Sequence, residues 1–183
     1  MGLSPQDALS ALNDVEAADA RARASQANRA GAPYLILWGA VWVVGYVLSG
    51  VLAPRQIGWM WLGVSLVGFA AMLLLPRRER GSRAFRGRTI AITAGAIWAF
   101  IAATYWVMRP TEGAQYLVYP ALMVGLVYTL MGSVRRTRIM WVGMAVFALT
   151  VAGYAFLKPV LAFWLAGVGG GGLILGGLWM RQP

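Results

Sequence analysis

Six long apolar blocks, joined by short polar links, make up most of the chain. They run 34–53, 57–75, 89–108, 116–132, 139–157 and 160–180, and none contains Asp, Glu, Lys or Arg. Apolar residues fill each block instead of recurring on one helical face, the pattern of a helix with apolar surroundings on every side. About 20 residues at 1.5 Å rise cross a ~30 Å hydrocarbon layer, so each block predicts a transmembrane helix. In the fourth block Tyr119-Pro120 falls near the start. A residue before proline is biased away from the helical region, so this helix is expected to begin near Pro120 and to be short, tilted or kinked. The predicted fold class is all-α: a polytopic membrane protein of six transmembrane helices, with residues 1–33 as an N-terminal tail and 34–183 as the six-helix domain.

The tail carries no apolar core of signal-peptide length. It reads "LSPQDALSALNDVEAADARARASQANRA", a pattern that predicts a water-facing helix. Ser4 suits the cap, Pro5 the first helical position and Asp7 the first turn. Acids come early and arginines late, matching the helix dipole. Leu9, Leu12 and Val15 form a thin apolar stripe. With three Arg against four acids and no aromatic residue, the tail is a poor membrane binder. It is either a docking surface for a cytoplasmic partner or a solvated helix.

Composition agrees with the block pattern. Hydrophobic residues are 60% and charged residues 12%, against roughly 45–50% and 25% in soluble domains. The net charge of +10 has the size of a nucleic-acid signature, but its placement follows the helices. Arg21, Arg23, Arg29, Arg77, Arg78, Arg80, Arg83, Arg86, Arg88, Arg135, Arg136, Arg138 and Arg181 fall on one side of the predicted membrane; Arg55, Arg109 and Lys158 fall on the other. Positive loops stay in the cytoplasm, so the arginine side and both termini are expected inside. The link "RRERGSRAFRGR" reads first as a topogenic loop on anionic headgroups, ahead of a binding site for lipid, nucleic acid or a partner. No specific nucleic-acid partner is expected. Arg in place of Lys, with abundant Ala, Gly and Val, points to a GC-rich bacterial genome and hence to the bacterial inner membrane.

What is absent narrows the chemistry. There is no His and no Cys, which removes haem, copper and His/Cys zinc sites, thiol nucleophiles and His acid–base work. All six acids (Asp7, Asp14, Glu16, Asp19, Glu79, Glu112) lie outside the blocks. Ion-coupled carriers usually hold an ionisable group within the membrane, and aspartyl proteolysis needs paired acids there. We assign no catalytic residue, cofactor or metal, and expect no enzyme.

The last block contains "AGVGGGGLILGG", in which residues 167–172 spell G-x-G-x-x-G. A dinucleotide loop needs a preceding strand and an acid about 20 residues on, and a P-loop needs a following Lys; neither context exists here. Packing is the better reading. Gly167 with Gly171, and Gly172 with Gly176 joined by Gly169, form small-residue stripes on a regular helix. Such stripes let a neighbouring helix of this chain, a second copy or a membrane partner approach closely. A sharper alternative is a helix broken at mid-membrane with amides free for a ligand. Among the aromatics, Trp59, Trp61, Trp106, Trp141, Trp164 and Trp179 fall near predicted helix ends, the usual interfacial belt. Trp42, Trp98 and Tyr105 are candidates for lining a small-molecule cavity, with ordinary core packing as the competing reading.

The odd helices share an end: "VVGYVLSGVLAP", "AATYWVMRP" and "VAGYAFLKP" each place a small residue before Tyr46, Tyr105 or Tyr154 and a proline after it. Helices two and six share Trp-Leu at 61–62 and 164–165. This predicts three copies of a two-helix hairpin around an axis along the membrane normal.

The stretches "LWGAVWVVGY", "YPALMVGLVYTL" and "GVGGGG" resemble small six-helix bacterial membrane proteins of unknown function. That resemblance implies six spans in the inner membrane and no activity or site residue. The function expected is a non-enzymatic membrane subunit, scaffold or regulator acting through helix packing and its tail. The alternative is a small-molecule binder or transporter with an aromatic cavity.

Overall fold

The computed structural model describes residues 5–74, 83–135 and 138–182. Ser4, the expected cap, and Arg77, Arg78, Glu79, Arg80 and Arg136 lie outside them. The described residues are almost all helical, without strands: α1 (Pro5–Val51), α2 (Pro54–Leu74), α3 (Arg83–Met108), α4 (Gly113–Arg135), α5 (Ile139–Phe156) and a final apolar segment, Lys158–Arg181, called the last span below. That span starts with one 3₁₀ turn (Lys158–Val160), continues as α6 (Leu161–Leu165), widens into a π-helical stretch (Ala166–Gly171) and ends as α7 (Gly172–Arg181). Among the described residues five helices are long and apolar enough to cross a membrane; α3 contributes a shorter apolar stretch, Gly95–Met108.

Two expectations change, and one alternative falls away. First, α1 is a single helix of 47 residues, with Pro33 inside it. The boundary drawn at 33–34 falls within this helix. Second, α4 does not begin near Pro120. It starts at Gly113 and passes through the proline. Proline lacks an N–H and crowds the carbonyl four residues back, so the helix survives only where that carbonyl finds another donor. Third, the last span is not broken. Its backbone stays helical through the glycine run, with Leu165, Gly171 and Gly172 all near φ −61 to −67°. The run is instead a π turn, a widening by about one residue that glycines tolerate.

Alternate helices run in opposite directions, so the bundle has two ends. One carries Tyr46, Tyr105 and Tyr154; the other carries Arg138 and Arg181. The core is centred on the second half of α1. Ala32, Leu35, Val41, Trp42 and Tyr46 pack with Val118 and Ala121 of α4, Val142 and Val146 of α5, and Leu161, Leu165, Ala166, Leu173 and Met180 of the last span. At the arginine end, Arg138 closes α7 by donating to the carbonyls of Trp179 (2.7 Å) and Gln182 (3.1 Å). A cation there satisfies terminal carbonyls and suits the negative end of the dipole.

Candidate functional site

Two seams hold the core helices at backbone distance. In the first, α1 meets the π turn. A methyl group added at Gly39 would lie 2.7 Å from the Gly170 carbonyl oxygen, and one added at Gly170 would lie 2.8 Å from the Gly39 carbonyl oxygen and 2.6 Å from the Val43 nitrogen. The contact is reciprocal and lies on backbone, so no rotamer change relieves it. Seven residues on, Gly177 approaches Ile36 and the Ala32 carbonyl. The second seam joins α4 to α5. There Gly125 and Gly143 face one another in the same way: a methyl group added at Gly143 would lie 2.7 Å from the Gly125 carbonyl oxygen and 2.5 Å from the Thr129 nitrogen. The Thr129 hydroxyl also donates to the Gly125 carbonyl (2.7 Å).

The candidate packing glycines divide between contact and open space. Gly169 lies under the Trp42 ring, 3.1 Å from where a side chain would begin, and Gly176 lies against Val142 of α5. Gly167 and Gly172 have no heavy atom within 4 Å of an added side chain, and Gly171 meets only the Ala166 carbonyl of its own helix. The stripes drawn at four-residue spacing assumed a regular helix. The π turn shifts the facing set, so the seam falls on Gly170 and Gly177. Gly39, Gly125 and Gly143 were missed because none has another glycine three or four residues away along its helix.

At the tyrosine end a polar cluster surrounds the Pro120 position. The missing Pro120 N–H leaves the Tyr116 carbonyl without its helical donor. The Tyr105 hydroxyl supplies one at 2.7 Å. The Tyr46 hydroxyl, on a side chain only 1% exposed, donates to the next carbonyl, Leu117, at 3.0 Å. Two tyrosines from α1 and α3 therefore support the α4 backbone where proline interrupts it. The start of α4 is tied down as well. The Gln115 side-chain oxygen accepts from the amides of Thr111 (2.9 Å) and Glu112 (3.3 Å), and the Tyr116 hydroxyl donates to the Pro110 carbonyl (3.1 Å). Nearby, the exposed Lys158 ammonium pairs with Glu112 at 2.8 Å and lies 4.8 Å from the Tyr154 ring centre.

The small residue before each of Tyr46, Tyr105 and Tyr154 is met by an aromatic side chain from the following helix. The Trp61 ring lies on Gly45, and its N–H donates to the Ser49 hydroxyl (3.0 Å). The Trp164 ring lies on Gly153, and its N–H donates to the Leu149 carbonyl (2.9 Å). Between them, the Tyr119 hydroxyl donates to that of Thr104 (2.9 Å).

Trp42, Trp98 and Tyr105 occupy three different settings. Trp42 is buried in the core, edge-on to Tyr46 at 5.6 Å. Tyr105 belongs to the tyrosine cluster, 4.9 Å from the ring of Tyr116 and 5.5 Å from that of Tyr119. Trp98 lines an open cleft of about 210 Å³ between α2 and α3, with Leu62, Ser65, Leu66, Phe69 and Gly95. The lining is apolar apart from Ser65.

No protein-family model, curated protein or solved structure matches the chain.

Proposed function

We propose that this chain is a non-enzymatic subunit, scaffold or regulator of the bacterial inner membrane, with six spans and both termini in the cytoplasm. The observation that carries this reading is the continuity of α1. Its second half supplies the centre of the core, while Leu9, Leu12 and Val15 near its start are 57–61% exposed. A surface available to a cytoplasmic partner is thereby joined rigidly to the best-packed part of the bundle. Spans without charge and the one-sided distribution of arginine support insertion and orientation. The recurring small residue, tyrosine and facing aromatic support the three-hairpin repeat.

The absence of cysteine makes the test clean. In Leu12→Cys the single thiol should react with an impermeant maleimide only when the cytoplasmic face is accessible. In Glu112→Cys it should react only from the opposite face. A chain lacking residues 5–29 should lose a partner, or a second copy, that the full chain retains on purification in mild detergent. A monomeric full chain whose pull-downs are unchanged by that deletion would overturn the proposal.

The alternative, a small-molecule binder or transporter, is supported by the cleft that holds Trp98. Trp42 and Tyr105 do not line that cleft.

A further inference from the structure

We propose that α3 is a swinging helix, held at its Tyr105 end, which closes the α2–α3 cleft by tilting its preceding half onto α2. The motion needs no partner at the tail, so it stands apart from the function proposed above. Attachment of α3 is confined to one end. The described side chains that join it to α4 by ring contacts or hydroxyl bonds are Phe100, Thr104 and Tyr105, which meet Tyr116 and Tyr119. Ile101, among them, is buried. Earlier in the helix this packing stops: Ile92, Gly95, Ala96, Ile97 and Ala99 are exposed and Trp98 is half-buried. The attached end is also the end that the chain ties down. Residues 109–112 are all that separates α3 from α4. Arg109 stands in the left-handed region (φ 44°) and donates its amide to the Tyr105 carbonyl at 3.0 Å. A non-glycine residue there is held only by its surroundings. Tilting about this end keeps the tyrosine bonds, whereas sliding α3 along its axis breaks them.

Gly95 marks what closure completes. A methyl group added at Gly39, Gly45, Gly68, Gly125 or Gly143 would lie within 3.0 Å of a neighbouring helix; at Gly95 it would meet nothing within 4 Å. Gly95 nevertheless faces α2 across the cleft, opposite Leu62, Leu66 and Phe69. Apolar helices in lipid gain by close van der Waals approach, and small residues permit it. The cleft of about 210 Å³ is the space through which α3 moves to make that contact. From Tyr105 back to Ile92 is 13 residues, or about 20 Å, so a tilt of about 15° carries Ile92 roughly 5 Å toward α2.

The test uses the full chain in lipid nanodiscs, with nitroxide labels on introduced cysteine pairs and pulsed electron–electron resonance to read their separations; the parent has no cysteine. Leu73 and Ile92 report the free end and Trp59 and Trp106 the attached end, and all four are exposed. Leu73→Cys with Ile92→Cys should give two distances about 5 Å apart, the expected tilt. Trp59→Cys with Trp106→Cys should give one. Gly95→Leu should remove the shorter distance by filling the cleft, and its open surroundings allow it to fold. Gly58→Leu, equally open but outside the cleft lining, should keep both distances. Tyr105→Phe should broaden the single distance at the attached end. One distance at the free end would overturn the proposal, as would the same split in both pairs or survival of the shorter distance in Gly95→Leu.

Discussion

The α1 seam and the α3–α4 junction join helices by opposite means. Where α1 meets the last span, side chains are removed: Gly39 and Gly170 leave only backbone between the helices. Where α3 meets α4, side chains are added: Phe100, Thr104 and Tyr105 reach Tyr116 and Tyr119 through ring contacts and hydroxyl bonds. The first mode gives dense contact along the interface, and Leu161, Leu165, Ala166, Leu173 and Met180 of the last span are all buried. The second gives local attachment. Ile101 is the one buried residue among those of α3 whose side chains are described. Close approach at glycine depends on shape and tolerates no added atom, whereas a tyrosine bond depends on one group and fails in a single step.

The largest expected effect follows from this contrast. Gly170→Leu must push apart two backbones, so it should lower the thermal midpoint in detergent by the equivalent of about 3 kcal/mol or prevent folding. Gly167→Leu, three residues away and in open space, should change it by less than about 0.5 kcal/mol. Equal effects at the two positions would mean that the π turn does not set the register of the seam. Next come the tyrosines. Tyr46→Phe should cost about 0.5–1.5 kcal/mol because the part-buried Leu117 carbonyl loses its added donor, and the more exposed Tyr105→Phe about 1 kcal/mol. Pro120→Ala restores an amide to the Tyr116 carbonyl, so Tyr105→Phe should be nearly neutral in that background. A double-mutant cycle between positions 105 and 120 that shows no coupling would break the link between the proline and the tyrosine. The smallest effect belongs to the exposed pair at the same end. Glu112→Gln should cost less than about 1 kcal/mol, and the difference should fade as salt is raised.

The apolar blocks were legible because a 20-residue charge-free run has few other structural uses, and helices were found over all six. What escaped were effects that depend on two segments at once. Pro120 signals a break when only its own helix is considered; the donors that rescue α4 are Tyr46 and Tyr105, 74 and 15 residues earlier in the chain. The glycine run advertised packing, but the π turn decides which members face α1, and no periodicity in "GVGGGG" specifies where such a turn falls. Trp42, Trp98 and Tyr105 qualified alike by chemistry. They separate because one faces a seam, one a cleft and one a proline.

The length of α1 gives it the properties of a lever. At 1.5 Å per residue its 47 residues extend about 70 Å, and roughly half of that precedes the core. A rotation of about 10° where the helix is gripped beside Gly39 would sweep the tip at Leu9 through roughly 6–8 Å. Motion too small to alter the packing of the core would thus be amplified to the width of a side chain at the other end. Pro33 stands between the two arms, at the point where a missing backbone bond sets how stiff the coupling is.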